Sequence, residues 1–289
     1  MAIDRAPDSQ TASGAISAPS VVIEPKRGLF HLDLKSVWQY RELLYFLIWR
    51  DIKVRYKQTV IGAAWAIIQP VATMLIFTIV FSRFAKIPSD GVPYPIFSYA
   101  ALLPWTYFSQ AISRTGNSLV GDANLVKKIY FPRLILPLSS VTTPFADLAM
   151  SSLVMGGMMI WYHMPLRMEL LALPLFLLLS FFAAFGIGLF LSALNVRYRD
   201  VGHTIPFLVQ IWMYASPIAY PLSLIPSKWK FLYCLNPIVG VVEGFRWAII
   251  GQQRPDFPPL IISSSIVIIV LVAGLVFFKK VESTFADVV

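Results

Sequence analysis

Six long apolar stretches, at about 62–84, 96–113, 134–162, 170–194, 204–222 and 260–278, dominate the chain. Each is close to the ~20 residues that a helix needs to cross hydrocarbon. The sequence is therefore that of an all-α integral membrane protein with six transmembrane helices. Its composition agrees: 57% of its 289 residues are hydrophobic and only 13% are charged, which is more apolar than a soluble domain of this length carries.

Cations set the orientation. With both termini in the cytoplasm, most of the 24 Lys and Arg residues fall on the inner side, as the positive-inside rule requires. These cations flank the spans and form no single basic face, so a nucleic-acid partner is not expected. Cys234 is the only cysteine, which excludes an intrachain disulfide and any multi-cysteine metal site. No cleavable signal is expected, because the first apolar run begins only near Ile61.

Residues 1–28 have no apolar period able to bury a face and read as a disordered tail ahead of a single membrane domain, 29–289. Ser36 and Gln39 have the spacing of a capping box and predict a helix over 36–57. At 100° per residue, Gln39, Glu42, Arg50, Lys53 and Lys57 share an arc of about 80° while much of the remainder is apolar, the pattern of an amphipathic helix lying in the interface. Phe46 intrudes on that arc, and Arg41, Asp51 and Arg55 lie outside it. Prolines at 70, 104, 137, 144, 174, 206 and 217 predict packed, irregular spans. Gly156, Gly157, Gly186 and Gly188 are expected to permit close helix approach.

Between the fifth and sixth spans, Asn236 and Pro237 form an N-cap followed by proline at the first helical position, and Gly251 is placed to stop the helix. A helix of about fourteen residues reaches about 21 Å, short of the ~30 Å hydrocarbon core. Together with 228–235 it is expected to dip into the outer leaflet and return as a re-entrant hairpin. Counting it as a seventh span would put Lys279 and Lys280 outside.

Bond-making chemistry has little to stand on. A phosphate-binding P-loop needs a Gly-Lys pair, and the chain has none. His31, His163 and His203 are far apart and no cluster has metal-ligand spacing, so no metal is expected. Asp147 lies inside the third apolar stretch, where an acid is costly and calls for a hydrogen-bonded partner or an ion-coupling role. Tyr99, Trp105, Tyr107 and Phe108 crowd the second span, and Phe207, Trp212 and Tyr214 the fifth. Such rings suit either an aromatic-lined passage for sugars or ordinary belt and helix packing.

Three blocks carry a family resemblance. Arg50-Asp51-Ile52-Lys53-Val54-Arg55-Tyr56-Lys57 through Gly62, followed by Trp65 and Gln69-Pro70, resembles the entry to the first span of type-2 ABC permeases that export polysaccharides such as O-antigen, capsule or teichoic acid. Asn124-Leu125-Val126-Lys127-Lys128-Ile129-Tyr130-Phe131-Pro132-Arg133 is similar to that family's cytoplasmic segment between spans two and three. Leu235-Asn236-Pro237 through Trp247 is similar to its extracytoplasmic gate region.

The resemblance implies a bacterial inner-membrane homodimer docked to a separate ABC ATPase subunit. That partner would hold the ATP and magnesium, with no cofactor on this chain, and a lipid-linked polysaccharide would pass along the dimer seam. Asn124, Leu125, Val126, Lys127, Lys128 and Ile129 would form the coupling helix that rests on the ATPase. Arg50, Lys53, Arg55 and Lys57 would either capture the phosphate of the lipid-linked glycan or anchor the chain to anionic membrane lipids. Glu243 and Arg246 would either pair across one helical turn or help to close the outer gate. Three other readings are export of a small molecule within the same family, an ion-coupled carrier using Asp147, and a membrane glycosyltransferase.

Overall fold

A computed structural model describes residues 34–57, 62, 64–251, 257–282 and 285; the tail expected over 1–28 lies outside the described residues. Among the described residues all regular structure is helical. The chain runs through α1 (Leu34–Gln39), α2 (Arg41–Lys57), α3 (Ala64–Phe77), α4 (Tyr94–Gly121), α5 (Ala123–Lys128), α6 (Ile135–Thr142) and α7 (Phe145–Trp161). It continues through α8 (Leu173–Arg197), α9 (Asp200–Tyr214), α10 (Ser227–Cys234), α11 (Pro237–Ile250) and α12 (Phe257–Glu282).

Among the described residues four stretches are long and apolar enough to cross a membrane: Ala64–Phe84, Ile135–Trp161, Met168–Arg197 and Pro258–Glu282. They correspond to the expected first, third, fourth and sixth spans. The first is α3 prolonged by a π-helical stretch, Thr78–Phe84. The third breaks at Thr143 and Pro144 into α6 and α7, because the proline has no N–H to continue the ladder.

The two remaining stretches differ from expectation for physical reasons. α4 has 28 residues and is about 42 Å long, but Ser, Thr, Gln, Asn and Arg side chains lower its apolar character. It can carry them because most of α4 is enclosed by protein, with α3, α6, α7, α8, α9 and α11 packed around it. α9 stops at Tyr214, well short of 222, and its 15 residues reach only about 22 Å. Beyond it, Asn236 Nδ2 donates to the carbonyl of Ala215 and the hydroxyl of Ser216, at 3.3 and 2.9 Å, and Pro217 supplies no donor.

The helix expected over 36–57 is nearly continuous. The N–H of Tyr40 donates to Ser36 O, and the N–H of Leu44 to Tyr40 O, across the junction of α1 and α2. Because α1 starts at Leu34, Ser36 is inside the helix and does not cap it. α2 packs on α6 and buries Leu47. Trp38, Tyr45, Phe46 and Trp49 stay exposed beside Lys53 and Lys57, so the outer surface mixes rings with cations.

Close helix contact is made at Gly186 and Gly188 as expected. A Cβ on Gly186 would lie 2.6 Å from Leu271 Cα in α12, and one on Gly188 would lie 2.6 Å from Thr115 Cβ in α4. Gly274, which the sequence pattern does not single out, faces the backbone of Gly186 from the α12 side. Gly156 and Gly157 make no such contact within the protomer, since both lie on the exposed side of α7, where a Cβ would meet nothing within 4 Å.

The helix α11 before α12 starts and stops where its caps predict. Asn236 Oδ1 accepts from the N–H of Ile238, Pro237 takes the first position of α11, and Gly251 ends the helix at φ 71°, a left-handed conformation that suits glycine. Ser263 Oγ ties α12 to this turn. It accepts from Gly240 N at 3.1 Å and lies 3.1 Å from the carbonyls of Asn236 and Pro237.

Candidate functional site

The functional geometry is best measured along α4. From Phe97 to Asp122 is 25 residues, roughly 37 Å at 1.5 Å per residue, so the two polar clusters at these positions stand at opposite ends of the bundle.

At the Asp122 end, Arg50 of α2 grips the carboxylate with Nη1 at 3.1 Å and Nη2 at 3.0 Å, while its Nε donates to Asp51 at 2.9 Å. The bond to Asp122 raises the Arg50 guanidinium above its ordinary pKa, so the charge is fixed at any physiological pH. One turn on, Arg55 Nη2 lies 2.6 Å from Asp147 Oδ2, and the Tyr56 hydroxyl donates to Oδ1 of the same carboxylate. Burial first, and the hydrogen bond to Asp147 second, push the Tyr56 phenol up to about 12 and keep it a donor. Asp147 is buried and stands in the first turn of α7, where the helix dipole favours a negative charge. The acid in the third span therefore has two partners, and Arg50 and Arg55 both hold α2 in place. Lys57 is exposed, and Lys53 is exposed with its ammonium 5.2 Å from the centre of the Trp49 ring.

Asp122 joins α4 to α5, so Arg50 connects α2 directly to the segment expected to couple. α5 turns Val126 into the core and Leu125 partly so. Asn124, Lys127, Lys128 and Ile129 face outward, followed by Tyr130, which is 78% exposed. An exposed isoleucine and tyrosine beside two lysines make a surface suited to a protein partner. Tyr130 continues this surface, inside the block 124–133 that carries the resemblance and just after the six residues expected to couple.

The expected aromatic lining divides in two. Tyr99, Trp105, Tyr107 and Phe108 are enclosed in the core of the protomer, where packing and hydrogen bonding occupy them. The Tyr99 hydroxyl donates to Ser151 O at 3.0 Å and that of Tyr107 to Val141 O at 3.1 Å. Phe108 meets Trp212 edge-on at 5.3 Å, and Trp212 Nε1 donates to Asn236 Oδ1 at 2.9 Å. Phe207 and Tyr214 of α9, by contrast, are exposed, at 62% and 56%.

At the Phe97 end, Arg246 of α11 is 1% exposed. Its Nη1 donates to Glu243 Oε1 at 3.1 Å and to Tyr220 O at 3.3 Å, and its Nη2 to Ile218 O at 2.8 Å. The guanidinium also lies 3.8 Å from the centre of the Phe97 ring. Glu243 and Arg246 thus pair across one turn, and the arginine binds α11 to α4 and to the segment after α9.

These features define a multi-pass integral membrane protein whose polar clusters hold helices together, and among the described residues no group of three or more His, Cys, Asp or Glu side chains could hold a metal ion. Residues 42–250 match the model of the ABC-2 type transporter family, and the chain belongs to that family. It is 27% identical to the O-antigen export system permease protein RfbA of Myxococcus xanthus over 88% of this chain and 98% of that protein. A second relative, the O-antigen export system permease protein RfbA of Klebsiella pneumoniae, is 25% identical over 86% of this chain and 95% of its own length. The polysialic acid transport protein KpsM of Escherichia coli is 23% identical over 82% and 92%.

Proposed function

We propose that the chain is the membrane-spanning subunit of an ATP-driven exporter that moves a lipid-linked polysaccharide out of the cytoplasm. The observation that carries this reading is the family membership together with relatives named for O-antigen export and polysialic acid transport, matched over nearly their whole length. With no Gly-Lys pair to build a P-loop, ATP hydrolysis falls to a separate ABC ATPase, which binds ATP and magnesium. That partner docks on the exposed face of α5 formed by Asn124, Lys127, Lys128, Ile129 and Tyr130.

The protomer crosses the inner membrane six times, through α3 with its π-helical extension, α4, α6–α7, α8, α9 and α12. Its termini are cytoplasmic, and α10–α11 is a re-entrant hairpin at the outer face. Two copies form the pathway between them. Phe207 and Tyr214 present exposed rings on which sugars slide, Lys53 and Lys57 sit at the inner headgroup level, and the Glu243–Arg246 pair steadies the outer gate.

The test is the location of the glycan in cells lacking this chain. Full-length glycan on its lipid carrier should accumulate inside and be absent from the surface. Normal surface glycan would overturn the substrate, and shortened or missing glycan would point to synthesis instead.

A further inference from the structure

Two cavities of similar size border α9, and Val209 lines both. The first, about 380 Å³, is polar and is walled by Arg55, Gln69, Ser109, Gln110 and Arg114 from α2, α3 and α4. The second, about 350 Å³, is apolar and lies between α4, α8 and α9, where Ile112, Leu191, Leu208, Ile211, Trp212 and Ala215 form its walls. Both are of a size that holds a small ligand or part of a larger one.

The polar cavity contains two groups that the fold does not use. Arg114 is half-buried, and among the described residues its guanidinium has no hydrogen bond or ion pair; its charged neighbours are Arg55, which repels it, Asp147, which Arg55 and Tyr56 already occupy, and Asp51, which Arg50 holds. Gln110 lies one turn earlier on α4, and its Oε1 is buried without a hydrogen-bond partner among the described residues. A partly desolvated guanidinium without an anion is costly, and so is a buried amide oxygen without a donor. Ser109 and Ser113 add hydroxyls at the same wall, although each also donates along its own helix, at 3.1 and 2.8 Å.

We propose that the paired cavities are one bipartite site for a phosphorylated lipid carrier, with Arg114 gripping the phosphate and the apolar cavity between α8 and α9 receiving the start of the hydrocarbon chain. A hydroxyl of the first sugar carried on that phosphate donates to Gln110 Oε1, so both unused groups find partners. Charge complementarity selects an anion, and the adjoining apolar cavity requires that the anion carry a hydrocarbon tail. A soluble sugar phosphate would leave that second cavity empty. Arg114 is eight residues, about 12 Å, from the Asp122 end of α4, the depth of a headgroup drawn inward from the bilayer surface. This inference rests on the proposed export function and gives its substrate a point of entry.

The test uses the purified full-length chain in detergent, with no glycan and no ATPase, and native mass spectrometry as the readout. A long-chain polyprenyl pyrophosphate should bind at least tenfold more tightly than the matching polyprenol or inorganic pyrophosphate. Arg114→Gln should weaken the polyprenyl pyrophosphate tenfold or more and leave the polyprenol unchanged, and Arg114→Lys should recover part of the loss. Ala215→Trp, which fills the apolar cavity, should weaken both lipids. Elution volume and melting temperature establish that each variant is folded.

Wild-type affinity in Arg114→Gln would overturn the proposal. So would phosphatidic acid binding as tightly as polyprenyl pyrophosphate with the same dependence on Arg114, since the occupant would then be ordinary bilayer lipid. Cellular location of glycan is a separate readout: normal surface glycan in the deletion strain would sink the export function and leave the lipid-phosphate site standing.

Discussion

Asp147 places a carboxylate in a buried position where an isolated charge is costly. An acid in an apolar run is either an ion-coupling group or a satisfied structural one; here Arg55 and Tyr56 satisfy it. Neither partner is legible from the third stretch alone, because both lie about ninety positions earlier on another helix. Asp147→Ala should therefore lower the stability of the purified protein. The expected loss is about 1–3 kcal/mol, between the values for exposed and buried pairs, because Asp147 is buried and Arg55 is partly exposed. Replacing both, as Arg55→Met with Asp147→Leu, should recover much of it, as no charge is then left without a partner. Thermal denaturation in detergent reads both, and an unchanged melting temperature in Asp147→Ala would show that the pair contributes nothing.

Among the helices, legibility followed locality. The start and stop of α11 were predictable because Asn236, Pro237 and Gly251 act on their own backbone. The end of α9 was not, since it depends on Asn236, a residue some twenty positions downstream. The apolar run to 222 concealed a helix that stops at 214. Small residues illustrate the same limit: glycine pairs look alike in sequence, yet Gly186 meets α12 and Gly156 meets nothing. Gly186→Val should drive α8 from α12 and cost about 1–3 kcal/mol, whereas Gly156→Ala should be neutral or stabilising by up to about 1 kcal/mol in a helix interior. A comparison of melting temperatures distinguishes them, and equal losses would contradict the packing described. For α5, charged replacements of the outward pair, Ile129→Asp with Tyr130→Asp, should abolish co-purification of the ATPase while the chain still elutes as folded protein. Retained co-purification would place the docking surface elsewhere.

For the molecule as a whole, hydropathy announced a membrane protein, and the proposed function assigns the motor to another chain. The purified chain should accordingly hydrolyse no ATP, and hydrolysis should be measurable only after its ATPase is added; turnover by the chain alone would refute that division of labour. Hydropathy could not show how the rings of α4 are used. Tyr99 and Phe207 are equally aromatic, but one is buried inside the protomer and the other is exposed. Burial depends on which neighbours arrive, and pattern within one helix does not encode that. The Arg50–Asp122 bond has a mechanical meaning. A forked guanidinium holding both oxygens of one carboxylate behaves as a hinge plate with two screws, resisting twist as well as pull. With the ATPase docked on α5 as proposed, a push on that segment would reach α2 through this bond as torque.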